Sequence, residues 1–169
     1  MTTRDYCIKW GAYALALLPV WFLEAYVFSR ISLWSTTPML LPLAAVALAV
    51  LEGALAGAGF GIFAGMLCDM TYGSNGGMIL LLALLGTGAG LISQFRLRQN
   101  LLGCWLCSAV ALAIIDTLRI LQRMLLRGIP LSALMEVALP ELFWSLLFVP
   151  LVYGLFFWVH DRVPERTHF

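Results

Sequence analysis

Apolar residues run almost unbroken through 10–28, 38–51, 54–70, 78–95, 101–121 and 142–159, and the polar and charged positions gather between these runs. A bilayer core takes about 20 helical residues, with about 17 tolerated, so most runs predict a membrane-crossing helix. Trp10–Phe28 is the first. Pro38–Leu51 is short, and only Glu52 and Gly53 separate it from Ala54–Met70. At about 1.5 Å per residue the two together would make roughly 50 Å of helix, far more than one crossing needs. Two short helices with a tight turn at Glu52 and Gly53 fit better; one long, broken or tilted helix is the alternative. Met78–Phe95 follows the turn "TYGSNGG", and Leu101–Leu121 continues as a charged extension to Arg127. Leu142–Val159 is the last run, and Pro150 within it predicts a kink. Between these two, "GIPLSALMEVALPE" shows a helical apolar face bounded by prolines, which predicts a short helix at 129–140 lying in the interface.

The expected architecture is one all-α domain over 1–169, a bundle of six transmembrane helices. Composition supports this. Of the 169 residues 62% are hydrophobic and 11% charged, whereas a soluble domain carries about 25% charged residues. A net charge of +1 leaves no basic footprint for nucleic acid. The placement of the basic residues is more informative. With six spans and both termini in the cytoplasm, Arg4, Lys9, Arg96, Arg98, Arg162 and Arg166 lie inside, against Arg30, Arg119, Arg123 and Arg127 outside. The positive-inside rule favours that orientation. The first run holds Glu24 and lacks a small-residue cleavage site, so it reads as a retained span rather than a signal peptide.

Chemistry-bearing groups are sparse. Cys7, Cys68, Cys104 and Cys107 form no disulfide framework, and "CWLC" at 104–107 reads as buried small residues rather than a redox pair. The tryptophans fall mostly near span ends, where interfacial placement explains them. His160 and His168 both follow the last run, so no intramembrane Ser–His dyad and no histidine metal site is expected. With Lys9 the only lysine there is no phosphate-cradling Gly–Lys loop. The expectation is a protein with no catalytic residues, no metal and no cofactor.

Two constellations stand out. Gly53, Gly57, Gly61 and Gly65 recur at four-residue steps, and Asp69, Gly73 and Gly77 continue the spacing. Small residues at that step let membrane helices approach closely. The row fits packing against the fourth helix, where Gly86 and Gly90 supply a matching groove, or a groove for a partner's helix. Alanine in place of these glycines is expected to be milder than leucine. Asp69 reads as a tether for the turn or, as an intramembrane carboxylate, a functional group. Asp116, Arg119, Arg123 and Arg127 share one side of the fifth helix. They read as a snorkelling face in contact with lipid headgroups or as a charged seam for a partner. Glu24 and Arg30, near the end of the first span, need little special explanation.

The spacing Gly61-x3-Gly65-x3-Asp69-x3-Gly73-x3-Gly77 resembles the central signature of MreD, the bacterial rod shape-determining membrane protein. The likeness extends to length, span number, Pro38, the "RLR" after the fourth run, and Pro150. Two features depart from it: extra glycine before Gly61 and the doubled glycine in "SNGG". The resemblance implies a non-enzymatic subunit of the cell-wall elongation complex in the cytoplasmic membrane. Its implied partners are an MreC-like bitopic protein, RodA with its penicillin-binding partner and, indirectly, MreB. It also implies a fold similar to the substrate-binding S components of energy-coupling vitamin transporters. That similarity supplies the alternative function, although the outer loops at 29–37 and 71–77 are poor in pocket-forming groups.

Overall fold

A computed structural model describes residues 3–28, 30, 38–73, 76–95, 101–127 and 131–162. These residues form six helices: α1 (Thr3–Phe22, continued by a π-helical segment Leu23–Phe28), α2 (Leu40–Glu52), α3 (Ala54–Tyr72), α4 (Gly77–Phe95), α5 (Leu101–Arg127) and α6 (Leu131–Arg162). The loop residues 31–37, the basic pair Arg96 and Arg98, and the tail with Arg166 and His168 lie outside the described residues.

Five of the helices are long and apolar enough to cross a membrane. The chain is an all-α, multi-pass membrane protein. α2 differs. Its sequence "LLPLAAVALAVL" is apolar on every side, and a helix of that kind belongs inside. Every residue from Leu40 to Leu51 is buried, with α1, α3, α4, α5 and α6 all packed around it. The centre of the bundle is therefore filled by the chain's own shortest helix.

The break between α2 and α3 falls at Gly53, as the spacing predicts. Its φ of 94° and ψ of −173° turn the chain sharply while the Gly53 amide still closes α2 onto the Ala49 carbonyl at 2.9 Å. A side chain is strained at that φ, so glycine is required. One sequence expectation is corrected. The segment at 129–140 is not a separate interfacial helix, because residues 131–140 are the first turns of α6, which runs through Pro140 and Pro150 to Arg162. In a membrane helix the groups that proline frees find other partners.

Candidate functional site

The glycine row lies against α4. A Cβ on Gly57 would stand 2.5 Å from the Gly86 carbonyl oxygen, and one on Gly65 would stand 2.5 Å from the Ile79 Cα. A Cβ on Gly61 would collide with the Leu82 carbonyl, and one on Gly86 with the Gly57 carbonyl. From the α4 side, a Cβ on Gly90 would stand 2.5 Å from the Ala54 backbone. The two backbones touch along their whole crossing, so α4 occupies the groove that the row creates. Alanine, though smaller than leucine, is not free of cost at these positions, since even one methyl group meets backbone that cannot rotate away.

The end of the row works differently. Gly73 closes α3 in the left-handed region, with φ 66° and ψ 38°, and its amide donates to the Asp69 carbonyl at 2.8 Å. The Asp69 side chain reaches across the turn, and its Oδ1 accepts from the Met78 amide at 3.4 Å. Asp69 thus ties the end of α3 to the start of α4. Gly73 and Gly77 face open space, so neither takes part in the close contact.

The row on α5 divides too. Arg119 turns toward the bundle, its guanidinium 5.0 Å from the centre of the Tyr72 ring and 3.5 Å from Glu141 Oε1. Asp116 is buried, whereas Arg123 is exposed. Arg127 ends the helix, and its side chain lies outside what the structure describes. Asp116, Arg119 and Arg123 therefore do not form one continuous exposed seam.

Arg119 belongs to a polar layer that the sequence did not reveal. At its centre is Glu24, only 2% exposed. Its Oε2 accepts from the Leu40 amide at 2.8 Å and the Leu41 amide at 2.6 Å, and its Oε1 accepts from the Tyr72 hydroxyl at 2.5 Å. Residue 39, which precedes α2, is a methionine and makes no side-chain cap. The orphan amides of a buried helix start must find acceptors, and here a carboxylate from the π-helical segment of another helix supplies one. Ser145 completes the layer by accepting from the Met39 amide at 3.0 Å and donating to the Glu141 carbonyl at 2.7 Å.

A second layer lies at the opposite end. Glu52 binds Lys9 Nζ at 2.6 Å and accepts from the Tyr13 hydroxyl at 2.5 Å, and His160 Nδ1 lies 2.8 Å from its Oε1. Burial raises the Glu52 carboxyl, but the hydrogen bonds from Lys9, Tyr13 and His160 outweigh it and hold it below the ordinary carboxylate value. His160 lies within the last turn of α6 rather than beyond it, and so joins α6 to α1 and α2. Beside this layer is a cleft of about 220 Å³ lined by residues that include Glu52, Gly53, Ser93, Gln94 and His160.

Two signals in the sequence pointed to Glu24 and went unread. It is a carboxylate inside an apolar run, and the start of α2 has no serine, aspartate or asparagine to cap it. The Lys9–Glu52–His160 group had no such signal, because its members are 43 and 108 residues apart along the chain. Among the described residues no group of histidine, cysteine and carboxylate side chains could hold a metal ion. Compared with known protein families, curated proteins and solved structures, the chain matches none.

Proposed function

We propose that this chain is a non-enzymatic scaffold subunit of the bacterial cell-wall elongation complex. It lies in the cytoplasmic membrane with both termini cytoplasmic, binds an MreC-like single-span protein, and links it to peptidoglycan synthesis by RodA and its penicillin-binding partner. The cytoplasmic MreB filament is reached indirectly. The resemblance in the Gly61–Gly77 spacing supports the family, and one structural observation favours a scaffold over the alternative vitamin-binding subunit. A substrate-binding subunit needs a cavity among its helices. Here the centre of the bundle is taken by α2, buried from Leu40 to Leu51.

Co-purification of the tagged full chain from native membranes tests this reading. The expected companions are a single-span protein and the wall-synthesis pair, and depletion of the chain should round the cells. Recovery with the ATPase module of a vitamin transporter, in cells that stay rod-shaped on depletion, would overturn it.

A further inference from the structure

The cleft beside Glu52 lies where three helices run out. Glu52 is the last residue of α2, Gln94 is the last but one of α4, and His160 stands in the last turn of α6. The cleft measures about 220 Å³. Pockets for drug-sized ligands take roughly 300–1,000 Å³, so this one fits a group of a few heavy atoms. Gly53 shapes its wall, because a Cβ there would collide with the side-chain nitrogen of Gln94. Any larger residue at 53 would displace Gln94 from the lining.

The lining is rich in acceptors. The Gly53 amide closes α2 onto the Ala49 carbonyl, so the carbonyls from Val50 onward lie past the last helical bond. They form the negative end of the helix dipole, about half an elementary charge. Ser93 commits its proton to the Gly90 carbonyl at 2.9 Å, and its oxygen keeps lone pairs for accepting. The Gln94 amide oxygen is a further acceptor. His160 presents Nδ1 to the Glu52 carboxylate at 2.8 Å. A carboxylate in that place selects the tautomer protonated on Nδ1, in which Nε2 accepts. Glu52 itself can take about four hydrogen bonds, and Lys9, Tyr13 and His160 supply three. Among the described residues that line the cleft there is no lysine or arginine. Lys9 balances the Glu52 charge from outside the lining, and the end of α2 leaves the cleft negative.

We infer that this cleft binds a primary ammonium group. Such a group brings three N–H donors and one positive charge to converging acceptors at a negative helix end. Two sources carry it: the ethanolamine headgroup of a phospholipid and a small soluble amine. A quaternary ammonium keeps the charge but has no N–H donor, and a hydroxyl donates but has no charge, so both bind more weakly. The site does not rest on the function proposed above.

The test is native mass spectrometry of the full chain in detergent. It is titrated separately with phosphatidylethanolamine, phosphatidylcholine and phosphatidylglycerol of the same acyl chains. A parallel arm follows the melting temperature with free ethanolamine and with ethylene glycol. Phosphatidylethanolamine should be retained several-fold over the other two lipids. Gln94→Leu, at an exposed position, should keep the parent's melting temperature without ligand and lose that preference. Ser93→Ala, a smaller change, should lower it as well. Stabilisation by ethanolamine but not ethylene glycol, absent from both variants and without a lipid preference, would assign the site to a soluble amine. Equal retention of the three lipids with no ethanolamine shift would overturn the inference. A preference for phosphatidylethanolamine that both variants leave unchanged would also overturn it, by placing the lipid elsewhere on the bundle.

Discussion

α3 and α5 both carry small residues at four-residue steps, and they use them in opposite ways. On α3, Gly57, Gly61 and Gly65 face inward and hold the α4 backbone at contact distance. On α5, Ala113 and Thr117 face outward, away from every described element. The spacing alone permits close approach in both cases. What decides between packing inside the chain and exposure is which face of the helix the remaining large residues occupy. On α3 the glycines share their side with buried Phe60, Ala64 and Cys68, whereas the α5 pair sits among exposed Leu106, Val110 and Leu121.

The largest expected effect tests the α3 half of this contrast. Gly61→Leu should cost about 3 kcal/mol or more and prevent folding, because the added side chain would enter the α4 backbone. Gly61→Ala should still cost roughly 1–3 kcal/mol. On α5, Ala113→Leu should leave thermal unfolding of the purified protein unchanged, because Ala113 is exposed. A Gly61→Ala protein as stable as the parent, or an Ala113→Leu protein that fails to fold, would erase the distinction.

Glu24 comes next, since it joins the end of α3 to the start of α2. Glu24→Ala leaves two buried amides and the Tyr72 hydroxyl short of an acceptor. The loss should be about 3 kcal/mol. Glu24→Gln keeps one acceptor oxygen and should lose less. Equal melting temperatures for the parent and Glu24→Ala would show that water takes over the cap.

The opposite layer should respond to acid. Glu52 is held ionised by its three donors, so its contribution is complete above the ordinary glutamate value of 4.5 and is lost as pH falls through the lowered one. Glu52→Gln should lose about 1.5–2 kcal/mol at neutral pH. The difference between parent and variant should shrink as the solution is acidified below that value. Thermal unfolding in detergent across that range measures it, and a difference independent of pH would remove the charge from the explanation.

The fold was largely legible in the sequence because bilayer thickness fixes helix length and an all-apolar segment such as 40–51 has nowhere to go but inside. Gly53 was legible as a break because two short runs met there. The polar layers were not, since they arise where side chains distant in sequence converge. No periodicity records that Glu24 meets Leu40, or that Lys9 meets His160. The α5 row misled for a related reason. Angular position places Arg119 and Arg123 on nearby faces, but the aromatic ring of Tyr72 draws the first inward and the bundle ends before it reaches the second.

The smallest effect returns to the glycine row and separates its members by cause. Gly61 has ordinary helical geometry and no room, whereas Gly73 has room but a left-handed φ of 66°. Gly73→Ala should therefore cost about 1 kcal/mol from conformation alone, and Gly73→Asn less, because asparagine tolerates that region. Gly77 has neither constraint: it opens α4, and an added methyl group would touch nothing. Gly77→Ala should be neutral or slightly stabilising, since alanine is the better helix former. Melting temperatures of the three alanine variants should thus fall in the order Gly77, Gly73, Gly61, from highest to lowest. If Gly77→Ala instead destabilised as much as Gly61→Ala, the four-residue spacing would be acting as one surface, and the division between packing glycines and turn glycines would be wrong.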